Sequence, residues 1–250
     1  MEKVYLTENE RVDDLQISLG NERSLCVIQN PDFFCFGVDA VLLANFAKVK
    51  KGSTVADLGC GCGVIPLIMA AKTSAAHITG VELQADVAEM AQRSVALNGL
   101  CDKVSIVNTD LKSFGNPSAY DVVTCNPPYK EDGGGLKNPD SHLAIARHEI
   151  CCTLKDVIAA AARIVKPGGS FAMVHRPERL TDIICFAREK GLEVKRLRFI
   201  HPAPGKTANI ILVEAIRGGR PKLFLEPPLY IYNEAGCYSA ELEEIYGRIR

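Results

Sequence analysis

An amide, two prolines and an aromatic ring stand in a row at Asn126-Pro127-Pro128-Tyr129, a set suited to holding a planar amino group. Pro127 forces Asn126 into an extended conformation, and two successive proline rings fix φ, so the turn is stiff before any ligand arrives. Neither proline has an N–H, so the local backbone presents mainly carbonyl acceptors. The Asn126 side-chain oxygen and the Pro127 carbonyl are then placed to accept both hydrogens of an exocyclic NH2, with Tyr129 stacked on the attached ring. An amine gripped in this way is prepared to act as a nucleophile. The competing reading is an ordinary turn, because the short β-branched run Tyr120-Asp121-Val122-Val123-Thr124-Cys125 just before it reads as a buried strand.

A second motif lies upstream. Asp57-Leu58-Gly59-Cys60-Gly61-Cys62-Gly63 follows the strand-like Ser53-Thr54-Val55-Ala56 and precedes the helical run Val64 to Lys72. Its glycines therefore sit at a strand-to-helix turn, where φ > 0 is tolerated and a ligand can approach the backbone. A dinucleotide fingerprint would need Gly or Ala at 64 or 66, and those positions hold Val64 and Pro66. Gly205-Lys206-Thr207 looks like the end of a phosphate loop, yet the glycine required five positions earlier is Ile200. Both nucleotide readings fail on spacing.

The remaining pattern, Asp-x-Gly-x-Gly-x-Gly, resembles the cofactor loop of class I S-adenosyl-L-methionine-dependent methyltransferases. The resemblance implies that Asp57 meets the methionine ammonium and that Gly59, Gly61 and Gly63 approach the ligand. Glu82 ends the strand-like His77 to Val81 and follows Asp57 by 25 residues, a place suited to the ribose hydroxyls. Asp110, at the end of Val104 to Thr109, is expected to accept from the adenine amino group. Each acid alone reads equally well as a helix cap or turn residue. Three acids at the carboxyl ends of successive strands form a pattern, because ligands of open α/β sheets bind there.

The elements that position these residues alternate between strand and helix. Helical spacing covers 84 to 98 and 143 to 165, Lys166-Pro167-Gly168-Gly169 breaks the second helix, and Ser170 to Val174 reads as a strand. Leu192 to Ile200 and Thr207 to Ile216 read as a closing pair of strands. The expected fold is α/β, a Rossmann-like class I methyltransferase with a seven-stranded, mostly parallel sheet, which the resemblance implies has an antiparallel last strand. One domain is expected over 1 to 250: N-terminal strand and helix elements at 1 to 50, a Rossmann-like core at 51 to 216 and a C-terminal extension at 217 to 250. With 250 residues, 47% hydrophobic and 24% charged, the chain is long enough for such a core. No signal-like leader or bilayer-length apolar run is evident, so a soluble cytoplasmic protein is expected. Ten cysteines include no Cys-x2-Cys pair, so most read as small buried hydrophobes and no metal site is expected.

Phe36-Gly37-Val38-Asp39 precedes the apolar stretch Ala40 to Ala44, which by periodicity is a packing helix with Asp39 as a possible cap. Together with Ala146-Arg147-His148-Glu149 and the Arg198 to Gly219 hairpin, this segment resembles bacterial tRNA1(Val) (adenine(37)-N6)-methyltransferases. The resemblance runs from about Asn30 to Gly219 and adds Gly37 to the cofactor-side residues. It implies methylation of an anticodon-loop adenine, with Asn126 and Pro127 orienting the nitrogen and Tyr129 and Pro128 against the base. His148 could be taken for a general base but reads as ordering the loop, because the amino group can lose its proton after attack. A net charge of −1 gives no global attraction to RNA, so a local patch is needed. Residues 190 to 222 carry Lys190, Lys195, Arg196, Arg198, Lys206, Arg217, Arg220 and Lys222 against Glu193 and Glu214, a surplus of six positive charges. Arg198 and Lys206 are the expected phosphate contacts, unless the hairpin is simply a solvated, charge-guarded edge. Lys130 to Pro139, with Gly133-Gly134-Gly135 in its middle, reads as a mobile loop on the substrate side. The alternatives are a protein glutamine N5-methyltransferase, whose amide also fits Asn-Pro-Pro-Tyr, and a non-catalytic RNA-binding module; a DNA adenine methyltransferase would normally need a target-recognition insert, for which the chain has no room. The oligomeric state is not legible.

Overall fold

Short, near-continuous runs rich in Val, Ile and Thr build the centre of the protein, because such strands can bury both faces under helices. The computed structural model describes residues 5–18, 24–33, 36–127 and 152–248. After the antiparallel hairpin β1 (Arg11–Ser18) and β2 (Ser24–Gln29) come α1 (Val38–Phe46), β3 (Thr54–Leu58), α2 (Val64–Lys72), β4 (His77–Glu82), α3 (Ala85–Leu97), β5 (Val104–Asn108) and β6 (Tyr120–Cys125). They are followed by α4 (Leu154–Ile164), β7 (Val165–His175), α5 (Leu180–Glu189), β8 (Leu192–His201), β9 (Ile210–Arg217), β10 (Phe224–Leu225), β11 (Leu229–Tyr230) and α6 (Ala240–Ile245).

Seven of these strands form the expected sheet in the order β5-β4-β3-β6-β7-β9-β8. Only β9 among the seven runs antiparallel to its neighbours, while β10 and β11 add two short parallel pairings along the far side of β8. The sequence order reverses between β3 and β6, and that reversal opens a crevice at their carboxyl ends. Alternation assigns the faces. Val55, Val122 and Val174 pack into the layer under α1, α2 and α3, whereas Ala56, Val123 and Met173 face the layer under α4 and α5. The N-terminal hairpin is held to α3 by hydrogen bonds from Ile28 N to Ser94 Oγ at 2.9 Å and from Cys26 N to Asn98 Oδ1 at 3.0 Å.

Two expectations change in detail. Lys166-Pro167-Gly168-Gly169 does end α4, but the segment lies inside β7 as a bulge: Tyr120 pairs with Val165 and Val122 with Ser170, leaving four residues opposite Asp121. Gly169 is needed there, since a Cβ would stand 2.7 Å from the Asp121 carbonyl oxygen. The described part of the second predicted helix is α4, started by a reciprocal capping box between Thr153 and Asp156, and residues 143 to 151 lie outside the described residues. The cysteines also divide. Cys60, Cys62 and Cys125 are buried, whereas Cys101, Cys185 and Cys237 are exposed, so the buried-hydrophobe reading fits only part of the described set. Among the described residues no helix is long and apolar enough to cross a membrane.

Candidate active site

The glycine loop turns back on the strand it leaves. Cys60 N donates to the Val81 carbonyl at 2.9 Å and Gly63 N to the Cys60 carbonyl at 2.9 Å, so the chain closes a tight turn over the end of β4. Gly59, Gly61 and Gly63 have φ of 70°, 52° and 87°, the left-handed region that costs an ordinary residue about 1 kcal/mol or more. Nothing stands within 4 Å of where a Cβ would sit at Gly59 or Gly61, so their missing side chains leave open space. Beneath the loop, Gly80 of β4 makes room for it, since a Cβ there would lie 2.8 Å from Cys60 Sγ.

Glu82 holds this loop from below. Glu82 is 7% exposed, and its Oε2 accepts from Gly61 N at 3.0 Å while Oε1 accepts from Gln84 N at 3.0 Å. Burial raises its pKa against the pull of these backbone donors. Asp57 is fully buried between Gly80 and Thr124. Its Oδ1 accepts from Thr124 Oγ1 at 2.6 Å, and its Oδ2 has no hydrogen-bond partner among the described residues. Burial pushes the Asp57 carboxyl up to about 7, the Thr124 hydrogen bond opposes this, and the Glu82 charge adds to it. Asp110 lies just past β5, where Oδ1 accepts from Lys112 N at 2.9 Å and Oδ2 meets Lys112 Nζ at 3.3 Å. The turn after β4 is fixed by Asn108, whose Nδ2 donates to the Glu82 and Leu83 carbonyls at 2.9 Å each.

Register brings the second motif alongside the first. Leu58 pairs with Cys125, so Asn126 and Gly59 leave the sheet as neighbours across the crevice. Asn126 is half-buried and Pro127 buried, and Asn126 Nδ2 donates to Asp39 Oδ2 at 3.3 Å. Asp39 does not cap α1: the cap position belongs to Gly37, which makes no side-chain hydrogen bond. Pro128, Tyr129, the Lys130 to Pro139 loop and Ala146 to Glu149 lie outside the described residues.

The arrangement has relatives. A methyltransferase small domain model matches residues 26–182. A tRNA1(Val) (adenine(37)-N6)-methyltransferase of Phocaeicola vulgatus is 31% identical over 215 residues, covering 84% of this chain and 89% of that protein. The chain belongs to that family. A second tRNA1(Val) (adenine(37)-N6)-methyltransferase, from Parabacteroides distasonis, is 29% identical over 79% of this chain and 85% of its own. Among solved structures, a predicted O-methyltransferase from Agrobacterium tumefaciens superposes with a TM-score of 0.68 at 25% identity, over 84% of this chain and 95% of that one. A geranyl diphosphate methyltransferase solved in complex with SAM shares the fold with a TM-score of 0.52 at 16% identity, over 72% and 84% of the two chains.

In this member of the tRNA1(Val) (adenine(37)-N6)-methyltransferase family, the basic hairpin is not one free patch. Arg196 is buried with its guanidinium 4.0 Å from the Phe46 ring centre, and it meets Glu226 at 3.2 Å and Glu214 at 3.5 Å. Arg198 pairs with Glu241 at 2.5 Å and donates to the Pro227 carbonyl at 2.9 Å. Arg217 is turned inward to the Val165 carbonyl and Ser118. Glu226 and Glu241, carboxylates from the C-terminal segment, thus neutralise the middle of the hairpin. Lys206 remains exposed in the turn between β8 and β9, at the same edge of the sheet as Asn126. Three strand spacings separate the ends of β6 and β8, about 14 Å. Other contributors were not visible as site residues in the sequence. Leu83, 43% exposed directly after Glu82, offers an apolar surface suited to the face of a purine, and its signal is a large apolar residue beside a strand-ending acid. Thr124 had none, because its role depends on facing Asp57 across two strands.

Proposed function

We propose that this protein uses S-adenosyl-L-methionine to methylate N6 of adenine 37 in tRNA1(Val), in the cytoplasm. The observation that carries the reading is the pairing of two devices at one switch point: an open, left-handed glycine loop after β3 and Asn126-Pro127 after β6. The chain's residues fit the cofactor. Open space above Gly59 and Gly61 admits a ligand to the backbone, and the unbonded Asp57 Oδ2 suits a cationic group, reached directly or through water. When bound, S-adenosyl-L-methionine supplies an electrophilic methyl carried on a positive sulfur. Glu82 keeps acceptor capacity for ribose hydroxyls beyond its two backbone bonds, and Leu83 and Asp110 flank the place for the base.

Asn126 and Pro127 do their work on the adenine. Their oxygens accept the two amino hydrogens, aim the nitrogen lone pair across the crevice and gather the positive charge that develops on that nitrogen. Tyr129 is proposed to stack on the base. An adenine has to leave its stack to enter such a pocket, which costs least in a single-stranded loop. Lys206 is the proposed phosphate contact at this edge, whereas Arg198 is committed to Glu241 and Glu226.

Two results are expected here. Glu82→Ala removes the acceptor for Gly61 N and Gln84 N as well as for the ribose, so affinity for S-adenosyl-L-methionine should fall by about 1.5 to 3 kcal/mol by calorimetry. An unchanged affinity would remove Glu82 from the site. Lys206→Glu should weaken tRNA binding and flatten its salt dependence by about one counterion, with cofactor affinity unchanged. An identical salt slope would mean that Lys206 touches no phosphate. The substrate itself is decided by incubating the protein with labelled cofactor and separate pools of tRNA, DNA and release factors, then digesting the tRNA for mass spectrometry. Label confined to DNA or to glutamine side chains would refute the tRNA assignment.

A further inference from the structure

We infer that the segment from Pro221 to Pro227 is a self-complementary edge through which two copies of this chain pair, with Phe224 on the twofold axis. The segment reads Pro-Lys-Leu-Phe-Leu-Glu-Pro, the same in both directions except that Lys222 is mirrored by Glu226. That exception is what two identical antiparallel strands require. Centred on Phe224, residue 222 of one copy stands opposite 226 of the other, so each lysine meets a carboxylate and each leucine a leucine. Like charges at 222 and 226 would repel in the same register. Glu226 keeps 20% of its side chain exposed beside Arg196 and Arg198, so a further cation can reach it.

The surface and the backbone both fit such a pairing. Leu223, Phe224 and Leu225 are 48%, 60% and 58% exposed, three apolar residues in a row. Single exposed apolar side chains are ordinary, whereas a consecutive run marks a contact surface. β10 pairs in parallel with β8, and Glu226 N donates inward to the Leu197 carbonyl at 2.9 Å. Alternation then turns the backbone groups of Phe224 toward β8 as well, and those of Leu223 and Leu225 outward. In the register centred on Phe224 these outward groups meet. Leu223 of one copy exchanges two hydrogen bonds with Leu225 of the other, and the twofold supplies two more. Pro221 and Pro227, which have no N–H, bound this ladder at both ends, so the pairing stops at two copies. An unrelated extended chain would find the same backbone groups without the mirrored lysine and glutamate. So short a ladder belongs to the weak, transient class of interface.

The test is a mixing experiment on the full chain without RNA. Sedimentation of the parent from low to several hundred micromolar should show monomer giving way to dimer and to nothing larger. Phe224→Asp and Phe224→Lys each set like charges against each other across the axis, and each should weaken dimerisation about tenfold or more. An equimolar mixture of the two should dimerise again as one-to-one pairs, identified by native mass spectrometry. That recovery needs residue 224 of one copy to face 224 of the other. Phe224→Cys gives a second reading. Facing Cα atoms in such a pair stand about 4.5 Å apart, within disulfide reach, so mild oxidation should yield a covalent dimer joined through position 224. A parent that stays monomeric at every concentration overturns the inference and leaves this edge to another chain. A dimer that Phe224→Asp leaves as tight as before, a mixture no tighter than either variant alone, or cross-links confined to the exposed Cys101, Cys185 and Cys237 would overturn it equally.

Discussion

Replacing Asn126 by alanine is expected to lower turnover by about a hundredfold or more, the scale of losing a group aimed at developing charge. Affinity for S-adenosyl-L-methionine should stay within about twofold, as for an interaction made mainly with the reacting amine. The separation follows from the hydrogen bonds on the cofactor side. Glu82 holds Gly61 and Gln84, and Thr124 holds Asp57, and none of these three bonds involves Asn126. Asn126 is only half-buried, which keeps the packing loss small, and a thermal melt would register any cost of leaving Asp39 without this donor. Single-turnover rates at saturating cofactor, set beside calorimetric affinities, give both quantities. Methyl transfer at the parent rate would end the amine-acceptor argument. Affinity lost in proportion to rate would place Asn126 on the cofactor instead.

The second large effect is expected from Asp57 and depends on pH. Burial lifts its carboxyl from the ordinary 3.8 to about 7. Below about pH 4 the native and unfolded chains both carry the proton, so there is no penalty. As pH rises toward 7 the unfolded chain releases this proton and the native one does not, so native stability falls through that window and levels off above it. Asp57→Asn removes the titration while leaving an amide oxygen for Thr124. Its stability relative to the parent should therefore rise from pH 4 to pH 8, by up to about 4 kcal/mol at 1.36 kcal/mol per pKa unit. Glu82 shifts in the same direction, and the difference between parent and Asp57→Asn isolates Asp57 from it. A cationic ligand reverses the preference, so cofactor binding to the parent should release a proton near pH 7 and tighten as pH rises, a response the Asn variant should largely lose. Denaturation series at several pH values, with calorimetry in two buffers of different ionisation enthalpy, measure both effects. Parallel stability profiles for parent and variant from pH 4 to pH 8 would show that Asp57 does not titrate there.

What could be read in advance is what chain-local chemistry writes. The glycine loop, its placement between strand and helix, and acids at the ends of β3 and β4 and just past β5 are all consequences of residues close together in sequence, and the fold sets them where that pattern put them. The mostly parallel sheet with its antiparallel last strand was implied by the family resemblance, and the structure supplies the strand order. Charge did not read as well. Arg196 and Arg198 look like a surface patch within their own window, but Glu226 and Glu241 arrive from a segment whose return path along β8 is tertiary information. Asp39 read as a helix cap because a first-turn acid usually stabilises its own helix, and nothing near it announces an amide 87 residues away. The Lys166 to Gly169 segment has the composition of a turn, and it bulges within a strand because β6 supplies only Asp121 opposite it.

The two short pairings beyond β8 bear on how the molecule behaves in a crowded solution. A ten-residue strand at the rim of a sheet is a template on which any other extended chain can add itself. Here the rim is taken by the protein's own tail: Glu226 N donates to Leu197 O at 2.9 Å and Ile231 N to His201 O at 2.9 Å, both inward. Between them stand Pro227 and Pro228, which have no N–H to offer outward. The tail thus covers part of the rim, and Glu226, which meets Arg196 and Arg198 with its carboxylate, gives its backbone N–H to the same strand.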